Sequence, residues 1–151
     1  MGVWLWIERW VARPVRVVGQ SMEPSFQPGC RLRASYLSYW FRKPARGDVV
    51  VIRAPVMPTR SDLKRIIGLP FEEIVWDAAG RFTINGKLLP ESYASIRPSP
   101  PGDDRHGQYR LRHHEYFVAG DNRLHSDDSR LYGPITRSAI LSKALTIPPT
   151  R

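Results

Sequence analysis

The sequence predicts a single domain that is mainly β, folded from coiled antiparallel sheets. The chain of 151 residues is long enough for one domain with a hydrophobic core and too short for two domains of ordinary size. Fourteen prolines and eleven glycines interrupt it every few residues, and short apolar runs lie between these breaks. Short apolar runs bounded by turn residues are typical of strands.

Six of these runs are predicted to be strands. Valine dominates the first two, isoleucine occurs in the next two, and an aromatic residue opens the last two. Such β-branched and aromatic side chains pack well on a pleated surface. Each run also ends at or near a Gly, Pro, Asn or Asp. The six runs are residues 15–18, 49–53, 65–68, 74–77, 82–84 and 116–119.

The N-terminus predicts a short amphipathic helix. At helical spacing five apolar side chains share one face, and Glu8 and Arg9 point largely away from it. Tryptophan suits the water–lipid boundary, so this face is typical of an interfacial helix, although packing on the core or on a second copy also explains it. A membrane span needs about 20 apolar residues, more than this segment has. The predicted division is an N-terminal segment, 1–13, and a β domain, 14–151. The apolar face comprises Val3, Trp4, Ile7, Trp10 and Val11.

The formal net charge of +9 raises the question of nucleic-acid binding. Arginines are spread along the whole chain, and three of the five tryptophans lie in the first ten residues. No compact basic and aromatic platform is therefore indicated. Attraction to anionic lipid headgroups accounts for the charge as well. We expect a membrane surface as a partner, and not nucleic acid.

Lysine is rare in this basic chain, with only four residues. Lys43, Lys87 and Lys143 lie in turn-like or near-terminal positions and are expected to be solvated. Lys64 directly precedes an apolar run that is predicted to be a buried strand. Burial penalises the ammonium and lowers a lysine pKa by up to ~3–5 units. A buried lysine is therefore a suitable general base.

Such a base can activate a serine for attack on an amide. Ser21 lies among turn residues, where a serine taken alone is more often a turn hydroxyl. Together with Lys64 it predicts a serine protease with a Ser/Lys dyad. A triad of Ser21, His125 and Asp128 is an alternative, because the order of triad residues varies among folds.

Neither a metal site nor a cofactor is predicted. The four histidines lack the spacing of metal ligands. Cys30 is the only cysteine, which excludes an intrachain disulfide, and its position after Pro-Gly is more typical of an inert turn residue than of a nucleophile.

Four ordered segments resemble the boxes of the type I signal peptidases. Residues 19–26, Gly-Gln-Ser-Met-Glu-Pro-Ser-Phe, are similar to that family's nucleophile box. Residues 63–70, Leu-Lys-Arg-Ile-Ile-Gly-Leu-Pro, are similar to its lysine box. The further similar segments are 46–52 (a strand box), 82–93 (a small hairpin) and 120–130 continued by 132–135 (the final box), so the resemblance covers residues 15 to 147.

The resemblance implies a role for each matched residue. Ser21 is expected to be the nucleophile, Lys64 the general base, and Ser126 the hydroxyl that holds the lysine amine in place. The charged positions expected to brace the site are Asp121, Asp128 and Arg130.

The same resemblance places oxyanion and substrate binding around the nucleophile, at Gly19, Gln20 and Met22. Gly19 is a departure from many bacterial relatives, which carry a serine there whose hydroxyl helps to bind the oxyanion. The backbone N–H of Ser21 is then expected to need another donor or a water beside it.

The implied substrates are precursor proteins with N-terminal signal or leader peptides. They are expected to bind extended near residues 18–22 and 61–67, with small side chains at the first and third positions before the cut. The implied location is a membrane, with the catalytic domain on its extracytoplasmic face, and no cofactor is implied. The alternatives are a soluble cytoplasmic or peripheral maturation protease for one dedicated client, and a non-enzymatic β domain that binds peptide or nucleic acid.

Overall fold

The mainly β class is confirmed by a computed structural model, which describes residues 12–98, 100, 102 and 105–145. The predicted N-terminal helix lies outside the described residues. Across the described ranges, no helix is both long enough and apolar enough to span a bilayer. The strands are β1 Arg13–Arg16, β2 Arg31–Ser35, β3 Val49–Arg53, β4 Ser61–Gly68, β5 Glu73–Trp76, β6 Phe82–Ile84, β7 Lys87–Leu88, β8 Gly107–Arg110, β9 Glu115–Ala119, β10 Ile135–Thr136 and β11 Ile140–Leu145; a short helix, α1, covers Ser129–Tyr132, and a 3₁₀ turn covers Arg137–Ala139.

The strands form two antiparallel sheets. The large sheet has the order β1-β2-β11-β3-β4-β9-β10, and the small sheet has the order β7-β6-β5-β8. In the large sheet β4 pairs with β3 along Ser61 to Arg65. It pairs with β9 only from Arg65 onward. The first half of β4 therefore meets a strand on one edge alone, within the part of the chain that the structure describes.

The central strand β3 is buried on both faces. Val49 and Val51 join a cluster that includes Met22. Val50 and Ile52 join another cluster on the opposite face. Because successive side chains of a strand point to opposite faces, a strand covered on both sides reads as an unbroken apolar run.

Aromatic contacts join the two sheets. Phe117 of β9 lies 5.2 Å from the ring of Trp76 and 5.8 Å, edge to face, from the ring of Phe82. Both partners belong to the small sheet. This core fixes the small sheet against β9, which leads into the loop at residue 120.

Five strands and one lysine environment differ from the sequence prediction. The apolar-run pattern misses β2, β7, β8, β10 and β11. β2, β8 and β11 mix arginine, lysine, glutamine or serine with apolar residues, and β7 and β10 have only two residues each. Lys143, predicted to be solvated, is only partly so, because its side chain is 24% exposed. Lys143 lies in β11 between two other strands, and its Nζ donates to Asp48 Oδ1 at 2.7 Å.

Candidate active site

Lys64 lies in β4 directly opposite Val50, and its side chain is buried, with 3% exposure. Burial lowers the pKa of Lys64 below its ordinary value, and the carboxylates of Asp128, Asp62 and Asp127 oppose this shift in part. Burial has the larger effect, so the pKa of Lys64 stays below its ordinary value. A larger fraction of Lys64 therefore carries a neutral amine at moderate pH.

A hydroxyl holds the lysine amine. Lys64 Nζ donates to Ser126 Oγ at 3.1 Å. The Ser126 side chain also helps to lower the pKa of the Asp128 carboxylate. A hydroxyl oxygen carries two lone pairs, so the Ser126 oxygen can accept from the amine. The amine is therefore positioned by a neutral group, and among the described residues no charged group forms a hydrogen bond with it.

Asp128 anchors this arrangement from a fully buried position. Its two oxygens accept from Arg130 Nε at 2.9 Å and from Arg130 Nη2 at 2.8 Å, and Oδ2 also accepts from the Gly120 N–H at 3.0 Å. Burial alone would raise the pKa of Asp128, but the hydrogen bonds and charge of Arg130 outweigh it and lower that pKa. Asp128 is therefore a carboxylate largely neutralised by Arg130.

The turn that carries Ser21 is held by the loop after β9. The Ser21 carbonyl accepts from the Asn122 N–H at 3.0 Å, and the Gln20 carbonyl accepts from Asn122 Nδ2 at 3.2 Å. A Cβ at Gly120 would lie 2.4 Å from the Ser21 carbonyl oxygen and 2.2 Å from Ser126 Oγ. The absence of a side chain at Gly120 thus allows the Ser21 turn and the Ser126 hydroxyl to approach the same point.

Asp121 joins the Ser21 turn to β4. It is fully buried and accepts from Arg65 Nε at 2.8 Å and from Arg65 Nη2 at 2.6 Å. It also accepts from the Ser25 hydroxyl at 2.5 Å. The Arg65 guanidinium stacks 3.9 Å from the centre of the Tyr93 ring. Lys64 and Arg65 are neighbours in β4, so their side chains lie on opposite faces of the strand. Lys64 contacts Ser126, and Arg65 contacts Asp121.

A buried ion pair supports the loop from the small-sheet side. Arg123 Nε donates to the Gly120 carbonyl at 3.0 Å, and Arg123 Nη1 donates to Glu91 Oε2 at 3.0 Å. Both side chains are essentially unexposed. A buried charge of this kind is tolerated only when it is paired and hydrogen-bonded.

Several of these supporting residues were not singled out from the sequence. Four of them lie inside the boxes that resemble the family, although neighbouring residues were the ones assigned a role there. Glu91 lies in the hairpin segment. The residues are Arg65, Glu91, Gly120, Asn122 and Arg123.

Ser21 lines a groove of about 100 Å³. Met22 also lines this groove and is fully buried, while Gln20 lines a separate cavity of about 340 Å³. Gly19 has φ of +86°, a left-handed conformation that a serine would adopt only with strain. The apolar part of the groove is formed by Val15, Val17, Val18, Met22, Val51 and Leu63, and its polar rim by Arg16, Arg60, Ser61 and Asp62.

The alternative triad is not assembled. The side chain of His125 is exposed, and its backbone N–H donates to the Asn122 carbonyl at 3.1 Å. Within the described ranges, the Asp128 carboxylate accepts hydrogen bonds from Arg130 and from the Gly120 N–H, and not from His125.

Comparisons with known proteins agree on one family. The family model described as signal peptidase, peptidase S26, matches residues 1–147. The chain is similar to a probable signal peptidase I-2 of Synechocystis, with 35% identity over 91% of this chain and 63% of the relative. It is similar to signal peptidase I V of Bacillus subtilis, with 35% identity over 83% of this chain and 79% of the relative. A crystal structure of a signal peptidase I from Enterococcus faecalis superposes with a TM-score of 0.58 and 29% identity, covering 70% of this chain and 98% of that one.

Proposed function

This chain belongs to the signal peptidase family, peptidase S26, and from that premise we propose that it is a serine endopeptidase that removes N-terminal signal or leader peptides from precursor proteins. Cleavage follows small-X-small sequences. Ser21 is the nucleophile and Lys64 the general base. The observation that carries this assignment is the buried Lys64 amine held at 3.1 Å from Ser126 Oγ.

The reaction is an acyl transfer in two stages. Neutral Lys64 takes the proton of the Ser21 hydroxyl as Ser21 Oγ bonds to the scissile carbonyl carbon, and the resulting oxyanion is bound by the Ser21 backbone N–H. The C–N bond then breaks, and the lysine ammonium gives its proton to the leaving amine. The same lysine takes a proton from a water as that water attacks the ester carbon. The bond between the carbonyl carbon and Ser21 Oγ then breaks, which releases the signal peptide as an acid, and the lysine ammonium gives its proton to Ser21 Oγ.

The pH profile tests the role of Lys64. Activity on a short peptide is expected to rise with pH along an acidic limb as Lys64 loses its proton, at a pH below the ordinary lysine range because burial lowers its pKa. Asp62→Asn removes one of the carboxylates that raise this pKa, so it should move the limb to lower pH. The measurement is kcat/KM against pH.

Asp77→Asn is the matched control, because Asp77 also pairs with an arginine, Arg81 at 2.6 Å, but lies in the small-sheet region. It should leave the limb in place. A limb that Asp62→Asn moves upward, or does not move at all, would contradict Lys64 as the titrating base.

The proposed place of action is a membrane surface. The apolar face that the sequence predicts for residues 1–11 and the net charge of +9 support it. Deletion of residues 1–11 should spare cleavage of a short soluble peptide and slow cleavage of a precursor tethered to anionic vesicles. The deletion stops before Ala12, whose carbonyl accepts from Arg33 at 3.1 Å.

Vesicle co-sedimentation accompanies this comparison, with Trp4→Ser and Trp10→Ser together as a second variant that keeps the chain length. Binding should fall as added salt screens the arginines. If the full-length protein stays in the supernatant and the deletion slows both substrates equally, the soluble maturation protease is the correct function.

A further inference from the structure

The groove beside Ser21 follows an open strand edge. Within the described ranges, no strand pairs with the edge of β4 at Ser61 to Lys64 that β3 leaves free. Peptides commonly bind such an edge as an added strand. An extended precursor segment laid there, as the proposed function requires, would lie in the groove that Ser61, Leu63 and Ser21 line together.

Successive side chains of β4 point to opposite faces, so the side chains of a peptide bound along it would meet two different environments in turn. Leu63 faces the apolar wall with Val51 and Met22, whereas Asp62, one residue earlier, faces the opposite side together with Lys64. The side chains of an added strand alternate in the same way. When the first and third residues before the cut face the apolar wall, the second residue faces the side of Asp62.

Arg60 and Asp62 form an ion pair on the side that the second residue before the cut would face. Arg60 Nε donates to Asp62 Oδ1 at 2.8 Å, and the Arg60 side chain remains 60% exposed while that of Asp62 is 17% exposed. A guanidinium has five N–H donors, and this bond uses the one on Nε. Arg16 also lines the groove, so the rim carries two positive charges and one negative charge.

We propose that Arg60, held in place by Asp62, recognises the second residue before the cut and favours an oxygen-bearing side chain there, with a carboxylate preferred most. Hydroxyl and amide oxygens also accept from guanidinium, whereas a lysine at this position is repelled by Arg60. Asp62 acts through Arg60 by fixing its position. The proposal rests on the proposed endopeptidase function.

The test is a set of four peptides that differ only at that second position, with Asp, Ser, Ala or Lys. For the wild-type chain, kcat/KM should decrease in that order. The Asp-to-Lys ratio should be about tenfold, because one exposed charge contact favours Asp and the same charge disfavours Lys. Arg60→Gln should reduce this ratio to about one. The ratio cancels any general effect of the substitution on Ser21 or Lys64.

Arg81→Gln is the matched control, since Arg81 is also 60% exposed and paired with an aspartate, but lies in the small-sheet region. It should preserve the wild-type ratio. Equal cleavage of all four peptides by the wild type, or a preference that survives Arg60→Gln, overturns the inference and leaves the proposed function standing. Failure to cleave any of the four overturns the proposed function itself.

Discussion

Ser21→Ala and Lys64→Met are each expected to reduce cleavage of a small-X-small peptide by at least about 10³-fold, the scale of losing a member of a catalytic dyad. Ser21→Ala removes the attacking oxygen. Lys64→Met keeps the length of the side chain and removes the amine that takes the proton. The measurement is kcat/KM under single-turnover conditions, alongside the melting temperature of each variant.

The melting temperature distinguishes a variant that has lost the catalytic base from a variant that has lost its fold. Lys64 is buried, so replacing its amine with a thioether removes a desolvated polar group, and Lys64→Met should melt no lower than the wild type. Lys43→Met, at an exposed position, should keep full activity. Ser126→Ala should lose less, because Ser126 orients the amine and does not transfer the proton. Wild-type activity in folded Lys64→Met would exclude the dyad.

The sequence predicts a strand well when the surroundings of its side chains are uniformly apolar. The run Val49–Arg53 is covered on both faces, so its apolar character is continuous, and its predicted bounds agree with the structure. β11 could not be found in this way, because one face carries the buried polar residue Ser142 and its edges are set by two strands distant in sequence. Its position depends on partners and not on its own pattern.

In the candidate site, too, some residues could be predicted from the sequence and others could not. Lys64 could be singled out because a lysine before a buried run is chemically conspicuous. Glu91 could not, since its significance comes from Arg123, 32 residues away in the chain. Gly120 could not either, because the importance of a glycine lies in what approaches it, and Ser21 and Ser126 meet there only in the fold.

Gly120→Ala is expected to lower kcat/KM by about 10²-fold without altering any reacting group, the cost of displacing catalytic groups by about 1 Å. The new Cβ would lie 2.2 Å from Ser126 Oγ and 2.4 Å from the Ser21 carbonyl oxygen, so at least one of them must move. The Ser21 contact is to backbone, which cannot yield by a rotamer change. The comparison is kcat/KM at a pH above the acidic limb, with the melting temperature measured in parallel.

Gly107→Ala gives the matched control, because its Cβ would meet Trp76 at 2.4 Å in the small sheet. Both substitutions introduce the same methyl group against a neighbour that is too close, and both should lower the melting temperature. Only the change at Gly120 displaces Ser21 or Ser126, so only Gly120→Ala should lose activity per folded molecule. Equal activity of the two folded variants would mean that the catalytic geometry does not depend on the close approach of Ser21 and Ser126 at Gly120.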